Sequence, residues 1–214
     1  MDYDLSKYKV IVLPILYLLY ENQIENIERF VSSGGTVIAT YMTGYADETD
    51  LCYLGGFPGG KLKEIFGLTA DEIDTLYETD YNSVMINNKS CNVIDYCEIV
   101  TPTTANVIGV YEKDFYKDKP AVLKNIYNKG KAYYIACRDT GELLDEIYIN
   151  ILKEAEIEYQ ELPFGVSIHT RKDDYNTYLF VENYTDSEQK IILKEKSYDI
   201  EKDEVCDNVI ILDA

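Results

Sequence analysis

The stretches KVIVLP (residues 9–14) and SSGGTVIAT (residues 32–40) determine the fold predicted for this chain. The first is an apolar, β-branched run that is too short for a helix, so it predicts a buried strand. Residues 21–33 then place apolar side chains at spacings of three and four, as in an amphipathic helix (Ile24, Ile27, Phe30 and Val31). The glycine pair of the second stretch ends that helix, because glycine accepts the left-handed conformation, and TVIAT resumes as a strand. Together they predict a βαβ unit with parallel strands and a right-handed crossover.

Further strands are predicted downstream, so the sheet is expected to be partly antiparallel. Residues 83–110 are rich in β-branched side chains, which favour strands. Residues 120–127 and 131–136 flank the turn Asn-Lys-Gly, which indicates a hairpin in which Gly130 supplies the positive φ.

Two more helical regions are predicted. Residues 61–66 and 70–77 are interpreted as one short helical stretch broken at Gly67. Thr140 is expected to cap a helix that runs from Gly141 to Ala155. The apolar face of that helix would contain Leu143, Leu144, Ile147, Ile151 and Leu152.

The pattern changes at Leu-Pro-Phe-Gly, residues 162–165. The sequence after it alternates between apolar and polar residues, with turns between the runs, which predicts a small antiparallel β module. We therefore expect two domains, residues 1–160 and 161–214. The predicted fold class is α/β, with a mixed sheet flanked by helices in the first domain and antiparallel strands in the second.

Composition argues against several classes of function. The chain has 39 acidic and 20 basic residues and a formal charge of −19, which would repel nucleic acid. The longest apolar run, Val10 to Tyr20, is shorter than the roughly 20 residues of a membrane helix. The first residues do not resemble a secretory signal, so we expect a cytoplasmic protein without membrane partners.

Metal and cofactor chemistry are not predicted either. The five cysteines have no Cys-x-x-Cys spacing, and the chain contains one histidine, so a zinc site is poorly supported. Reduced, mostly buried thiols are expected instead. The glycine-rich residues 55–60 contain Pro58 where a phosphate-binding loop would need N–H donors.

The sequence also predicts no catalytic residue. It contains no Gly-x-Cys-x-Gly or Gly-x-Ser-x-Gly elbow, and a nucleophilic triad cannot be assembled around Cys137 and the lone His169. The acids Asp47, Glu48 and Asp50 lie within four residues of one another in one loop. Glycoside hydrolysis needs two carboxyl groups on opposite sides of a sugar, and these three do not provide that pair.

Four segments carry a resemblance to a known family: YKVIVLPILYLL (8–19), VSSGGTVIATYMTGYADETDLCYLGGFPGGKLKEIFGL (31–68), EIDTLY (72–77) and KPAVLKNIYNKGKAYYIAC (119–137). Together they resemble the middle domain of glycoside hydrolase family 42 β-galactosidases. The stretch DETDLCYLGGFPG is the most specific part of the resemblance. The alternating tail after Leu162 is similar to that family's small C-terminal β domain.

The resemblance implies a glutamine-amidotransferase-like (flavodoxin-like) fold without that activity, in a domain that forms a trimer. It also implies that both catalytic glutamates, which hydrolyse terminal β-galactosides with retention, lie on a preceding TIM barrel. Since no such barrel is in this sequence, the chain is expected to be inactive alone, and its partners are expected to be sister copies and the barrel of the parent polypeptide. Family members have a strand and a helix before the residues that match Asp2 to Leu5, so we expect a fragment or truncated product.

Residues 39–60 are then expected to form an interface loop, with paired glycines for close approach, a rigid apolar knob of Phe57 and Pro58, and an acidic rim. The expected interface residues are Asp47, Glu48, Asp50, Gly55, Gly56, Phe57, Pro58 and Gly59. Two other functions remain open. One is a stand-alone carbohydrate-binding module using Tyr175 and Tyr178, and the other is an amidotransferase-like hydrolase that depends on Cys137.

Overall fold

The computed structural model describes residues 3–213, which divide into two compact units at Ile157 and Glu158. The predictions about the two ends of the chain include Met1, Asp2 and Ala214, and these three residues lie outside the described part of the structure. Over residues 3–213, no helix is long and apolar enough to cross a membrane.

The first unit begins with the predicted βαβ arrangement. Strand β1 (Val10–Leu13) and strand β2 (Thr36–Thr40) pair in parallel, and helix α1 (Glu21–Ser32) connects them. The four apolar residues of α1 are buried as expected (Ile24, Ile27, Phe30 and Val31). Gly34, at φ 114°, follows the helix, and its N–H donates to the Val31 carbonyl at 2.9 Å. The local sequence pattern is therefore confirmed in detail.

Strands β1 and β2 belong to a nine-stranded mixed sheet. Its remaining strands are β3 (Leu68–Thr75), β4 (Asn82–Ile86), β5 (Lys89–Pro102), β6 (Asn106–Tyr111), β7 (Pro120–Tyr127), β8 (Gly130–Ile135) and β9 (Cys137–Asp139). The strand order is β1-β2-β8-β7-β6-β4-β5-β3, with β9 also paired to β5. Only the β1–β2 and β2–β8 pairs among these described strands are parallel.

Helices cover both faces of the sheet. Successive residues of a strand point to opposite faces, and in β2 Val37 packs in the cluster that includes α1 and the short helix α2 (Leu62–Phe66). Its neighbour Ile38 packs in the other cluster, which includes helix α3 (Glu142–Glu154). The same alternation continues in β8. The expected mixed sheet flanked by helices is confirmed.

The predicted helical stretch at residues 70–77 is wrong. Helix α2 ends at Gly67, whose φ is 66°, and strand β3 follows immediately. The backbone of β3 pairs antiparallel with β5, from Leu68 opposite Pro102 to Thr75 opposite Tyr96. This ladder pairs the backbone groups of β3, and tertiary pairing of this kind outweighs a weak helical propensity.

The predicted cap of α3 is also wrong. Asp139, rather than Thr140, caps this helix: its Oδ2 accepts hydrogen bonds from the N–H groups of Gly141 and Leu143 at 2.8 Å and of Leu144 at 3.2 Å. Gly141, at φ 112°, turns the chain so that a carboxylate three residues before the first helical residue reaches these amides. A carboxylate near a helix N-terminus also interacts favourably with the helix dipole.

The hairpin of β7 and β8 is confirmed, but Gly130 has a different role from the predicted one. The left-handed residue of the turn is Asn128, at φ 51°. A Cβ atom on Gly130 would lie 2.1 Å from the carbonyl oxygen of Val31 and 2.4 Å from that of Gly35. Glycine is required because the turn after α1 packs directly on this backbone.

A buried carboxyl group connects three parts of the first unit. Glu98 of β5 has no exposed surface. Its Oε1 accepts from the Met42 N–H at 2.7 Å and from the Tyr45 hydroxyl at 2.8 Å, and its Oε2 accepts from the Tyr134 hydroxyl at 2.7 Å. The side chain thereby connects β5 to β8 and to the segment that follows β2.

The second unit contains three antiparallel strand pairs. These are β10 (Val166–Lys172) with β11 (Thr177–Asn183), β12 (Gln189–Ile192) with β15 (Val209–Leu212), and β13 (Ser197–Asp199) with β14 (Glu204–Cys206). The expected small antiparallel β module is confirmed.

Replacing Gly130 by alanine should lower the free energy of unfolding by about 2 kcal/mol or more, because the new methyl group would meet backbone atoms that cannot rotate away. Urea denaturation followed by circular dichroism measures this loss. Lys129→Ala, on the exposed neighbour in the same turn, should change stability by less than about 0.5 kcal/mol. Equal stability of Gly130→Ala and the parent would contradict the close approach.

The Glu98 carboxyl should make stability depend on pH. Burial raises its pKa above the ordinary value of 4.5, so between that value and the raised one the folded state binds more protons than the unfolded state. Its contribution to stability is therefore full below pH 4.5 and is lost as pH rises through the folded pKa. The stability of the parent relative to Glu98→Gln should fall by up to about 1.4 kcal/mol per pH unit in that window. Urea titrations of both proteins from pH 4.5 upward measure the difference, and a constant difference would exclude this linkage.

Candidate functional site

Residues 39–60 leave the carboxyl end of β2 and form the predicted loop. Their first part is buried and tightly turned: Met42 has a φ of 57°, and the Thr43 hydroxyl donates to the Thr40 carbonyl at 2.7 Å. The Gly44 N–H donates to the Leu16 carbonyl at 2.9 Å. These bonds hold the start of the loop against the segment that follows β1.

Three aromatic rings stack on one another next to these turns. The rings of Tyr17 and Tyr45 lie 5.7 Å apart at 23°, and those of Tyr45 and Phe57 lie 4.0 Å apart at 9°. The Phe57 carbonyl also accepts from the Ala70 N–H at 2.8 Å, which joins the end of the loop to β3. Stacked rings of this kind are worth about 0.5–1.5 kcal/mol beyond the area that they bury.

This stack shows where the residues of the predicted apolar knob lie. Phe57 is half-buried against Tyr45 and Pro58 is buried, so both residues pack against neighbouring parts of the chain. Gly59 is also buried, and the Tyr53 ring packs so closely on it that a Cβ atom there would lie 2.1 Å from the ring. The Phe-Pro-Gly motif therefore packs within its own unit, which sequence spacing alone could not show.

The outward surface is made by other residues. Leu51 is 65% exposed and Leu54 is 99% exposed, and Gly55 and Gly56 follow at φ 89° and 93°. The Lys63 ammonium donates to the Gly55 carbonyl, which fixes the end of this turn. Neither leucine is among the interface residues predicted from the sequence.

The three acids have separate roles. Asp47 Oδ1 accepts from the Thr49 hydroxyl at 2.6 Å and from the N–H groups of Thr49 and Leu51 at 2.8 and 3.3 Å. The Thr49 hydroxyl, with these amides, lowers the pKa of the Asp47 carboxyl. Glu48 and Asp50 are exposed beside Leu51. Asp47 therefore forms the loop, and the other two place negative charge around the leucines.

The surface made by Glu48, Asp50, Leu51 and Leu54 is called the outer tip below. It stands on the buried base formed by Tyr45, Phe57 and the Glu98 carboxyl. The structure thus brings the predicted loop residues into one feature, but with a different residue set facing outward.

The two residues of the hydrolase alternative lie in different units. Cys137 lies in the first unit and is buried, and burial raises its pKa well above that of a free thiol, which disfavours the nucleophilic thiolate. His169 lies in the second unit, on the exposed side of β10, with its Nε2 3.8 Å from the Glu182 carboxylate. Over residues 3–213, no cluster of His, Cys, Asp and Glu has metal-binding geometry.

The tyrosines of the carbohydrate alternative are also located. Tyr175 is exposed at the turn between β10 and β11. The Tyr178 hydroxyl donates to Asp173 Oδ2 at 3.0 Å, and Asp173 Oδ1 accepts from the N–H groups of Tyr175 and Asn176. Asp173 and Tyr178 therefore make hydrogen bonds that stabilise the turn between β10 and β11.

Two family models match the chain. Residues 1–158 match the β-galactosidase trimerisation domain, and residues 165–206 match the β-galactosidase C-terminal domain. The first match covers the whole nine-stranded sheet with its helices, and the second covers most of the antiparallel module.

Curated relatives carry the same domains. The chain is 38% identical to β-galactosidase Pbg of Clostridium perfringens over 205 residues, which is 91% of this chain and 30% of the relative. It is also 38% identical to β-galactosidase GalA of Bacillus licheniformis, over 90% of this chain and 29% of the relative. The chain therefore spans about 30% of the length of the relatives that it matches.

Solved structures agree in fold. Gan42B, a GH42 β-galactosidase from G. stearothermophilus, superimposes with a TM-score of 0.86 at 38% identity, over 99% of this chain and 31% of that one. The β-galactosidase of Bacillus circulans sp. alkalophilus has a TM-score of 0.86 at 29% identity, over 100% and 33%. The chain belongs to the glycoside hydrolase family 42 β-galactosidases and comprises their trimerisation domain followed by their C-terminal domain.

Proposed function

We propose that this chain is the assembly region of a β-galactosidase and that its outer tip contacts a sister subunit or the catalytic domain of the complete enzyme. The complete enzyme would hydrolyse terminal β-galactosides with retention, using two glutamates on a barrel that this sequence does not contain. The matched trimerisation-domain model is the observation that carries this proposal. The domains of this region would be residues 1–160 and 161–214.

The outer tip has the properties of an interface centre. Leu54 is almost fully exposed, and exposed apolar side chains that stand on rigid backbone lose little conformational entropy on binding. Tyr45 and Phe57 are stacked and the Tyr45 hydroxyl is hydrogen-bonded, so the loop is anchored before and after the two leucines. The predicted glycines would permit the close approach of the partner.

The charges around the leucines define the partner surface. Glu48 and Asp50 are exposed and directly precede Leu51 in the loop, and the whole chain carries a formal charge of −19. An apolar pocket surrounded by lysine or arginine side chains would complement this arrangement, since charge complementarity gives specificity and steers association. Two acidic outer tips would repel each other, so the tip is expected to meet a different surface of the sister subunit.

Two finer assignments accompany this proposal. The first unit would be a glutamine-amidotransferase-like (flavodoxin-like) domain that has no catalytic nucleophile. The protein would act in the cytoplasm, where thiols stay reduced, and the five free cysteines support this location.

Leu54→Asp in a complete β-galactosidase that contains this region should weaken the trimer at least tenfold, because a carboxylate would enter an apolar contact. Sedimentation velocity over a concentration series measures the trimer–monomer equilibrium. Tyr77→Asp, at a residue of the first unit that is 76% exposed outside the tip, is the matched control and should leave the trimer unchanged. An intact Leu54→Asp trimer would exclude the outer tip as an assembly contact.

The purified 214-residue chain should not cleave a chromogenic β-galactoside, because the proposed catalytic glutamates lie outside it. The complete enzyme, assayed at the same molar concentration, is the positive control. Turnover that copurifies with the chain and is lost on Cys137→Ala would favour the hydrolase alternative instead. Turnover that persists in that variant would overturn the assignment of catalysis to the barrel.

A further inference from the structure

Glu98 is an unusual residue for the middle of a sheet. Fully buried glutamates are rare unless they are paired with a cation. Over residues 3–213, the structure records no lysine, arginine or histidine within salt-bridge distance of this carboxyl group. Its partners are instead three hydrogen-bond donors, of which two belong to the loop that carries the outer tip.

We propose that Glu98 is a positioning residue for the outer tip: through Oε1 it fixes the Met42 turn and the Tyr45 ring on which the tip stands. The inference rests on the assembly function proposed above and names the group inside the sheet that orients the assembly surface.

The Met42 contact fixes the backbone at the start of the loop. Met42 has a φ of 57°, a left-handed conformation that is unfavourable for a non-glycine residue. Its N–H donates to Glu98 Oε1 across an N···O distance of 2.7 Å, a short hydrogen bond in the buried interior, where hydrogen bonds are electrostatically stronger than in water. This bond offsets the cost of the turn that directs residues 43–46 under the tip.

The Tyr45 contact fixes the platform. The Tyr45 hydroxyl donates to the same oxygen at 2.8 Å, and the Tyr45 ring packs face to face on Phe57 at 4.0 Å. The Tyr53 N–H donates to the Tyr45 carbonyl at 3.1 Å. Tyr45 thereby connects Glu98 to the residues before and after the segment 47–56.

The other carboxyl oxygen holds Glu98 itself in place. Oε2 accepts from the Tyr134 hydroxyl of β8, and the Tyr111 hydroxyl of β6 donates to the Glu98 carbonyl at 3.0 Å. The titratable groups around Glu98 are Tyr45 from the loop, Tyr134 from β8, Tyr111 from β6, Cys97 from β5 and Cys137 from β9. Burial raises the pKa of each of these groups, so they stay neutral and Glu98 is the acceptor on which the donors converge.

A variant pair separates this role from general stability. Glu98→Leu keeps the approximate volume but leaves the Met42 N–H and Tyr45 hydroxyl without an acceptor. Glu98→Gln keeps one oxygen for those two donors and can donate to Tyr134. Tyr116→Phe is the control, because it removes a buried hydroxyl that donates to Asp74 at 2.8 Å, away from the loop.

Hydrogen exchange of the amides of residues 44–53 in the 214-residue chain is the measurement. Glu98→Leu should accelerate their exchange about tenfold or more, as expected for losing hydrogen bonds to a carboxyl group. Glu98→Gln should restore protection to near the parent level, and Tyr116→Phe should leave these amides unchanged. If Glu98→Leu does not fold, Tyr45→Phe, which removes one hydroxyl and keeps the stack, should accelerate the same amides by a smaller factor.

Unchanged exchange at residues 44–53 in Glu98→Leu, or in Tyr45→Phe if the former does not fold, would overturn the positioning role. The assembly of a complete β-galactosidase carrying the same variants is measured separately by sedimentation. Loosened amides with an intact trimer would refute the assembly function of the tip and leave the role of Glu98 within the loop established. Loosened amides with a weakened trimer, restored by Glu98→Gln, would support both.

Discussion

The hydrogen bonds of one buried carboxyl group hold the loop to the sheet. A glutamate without a cationic partner can be buried only where several donors replace its water, and Met42, Tyr45 and Tyr134 supply them. Because two of those donors belong to the segment after β2, the path of that segment is set by strand β5, which lies more than fifty residues away in the chain. The conformation of this surface loop therefore depends on hydrogen bonds made inside the core.

This arrangement explains how a loop with five glycines and exposed leucines can have one conformation. The Tyr17, Tyr45 and Phe57 rings bury its inner side, and the Asp47 side chain closes its turn through Thr49 and Leu51. The apolar atoms that remain outside are then available to another surface. An assembly region needs this combination, because a flexible loop would lose more entropy when it binds.

The sequence predicted features that depend on neighbouring residues and missed features that depend on distant ones. The βαβ unit, the β7–β8 hairpin and the C-terminal strands follow from periodicity and turn residues, which are local. Strand β3 could not be predicted in this way, because its structure depends on pairing with β5, about thirty residues later. The inward packing of Phe57 likewise depends on Tyr45 and Ala70, twelve and thirteen residues away, so sequence spacing could locate the loop but could not show which of its side chains are exposed.

The two-faced packing of β2 and β8 has a consequence for how the sheet is aligned. Val37 faces α1 and Ile38 faces α3, and Tyr133 and Tyr134 of β8 divide in the same way. Sliding β2 by one residue against β8 would exchange the side chains of β2, Val37 and Ile38 among them, between the faces, while those of β8 would stay in place. Because the two faces of the sheet pack against different helices, only one alignment of the central strands fits both faces. Packing on one face alone would specify that alignment less strongly.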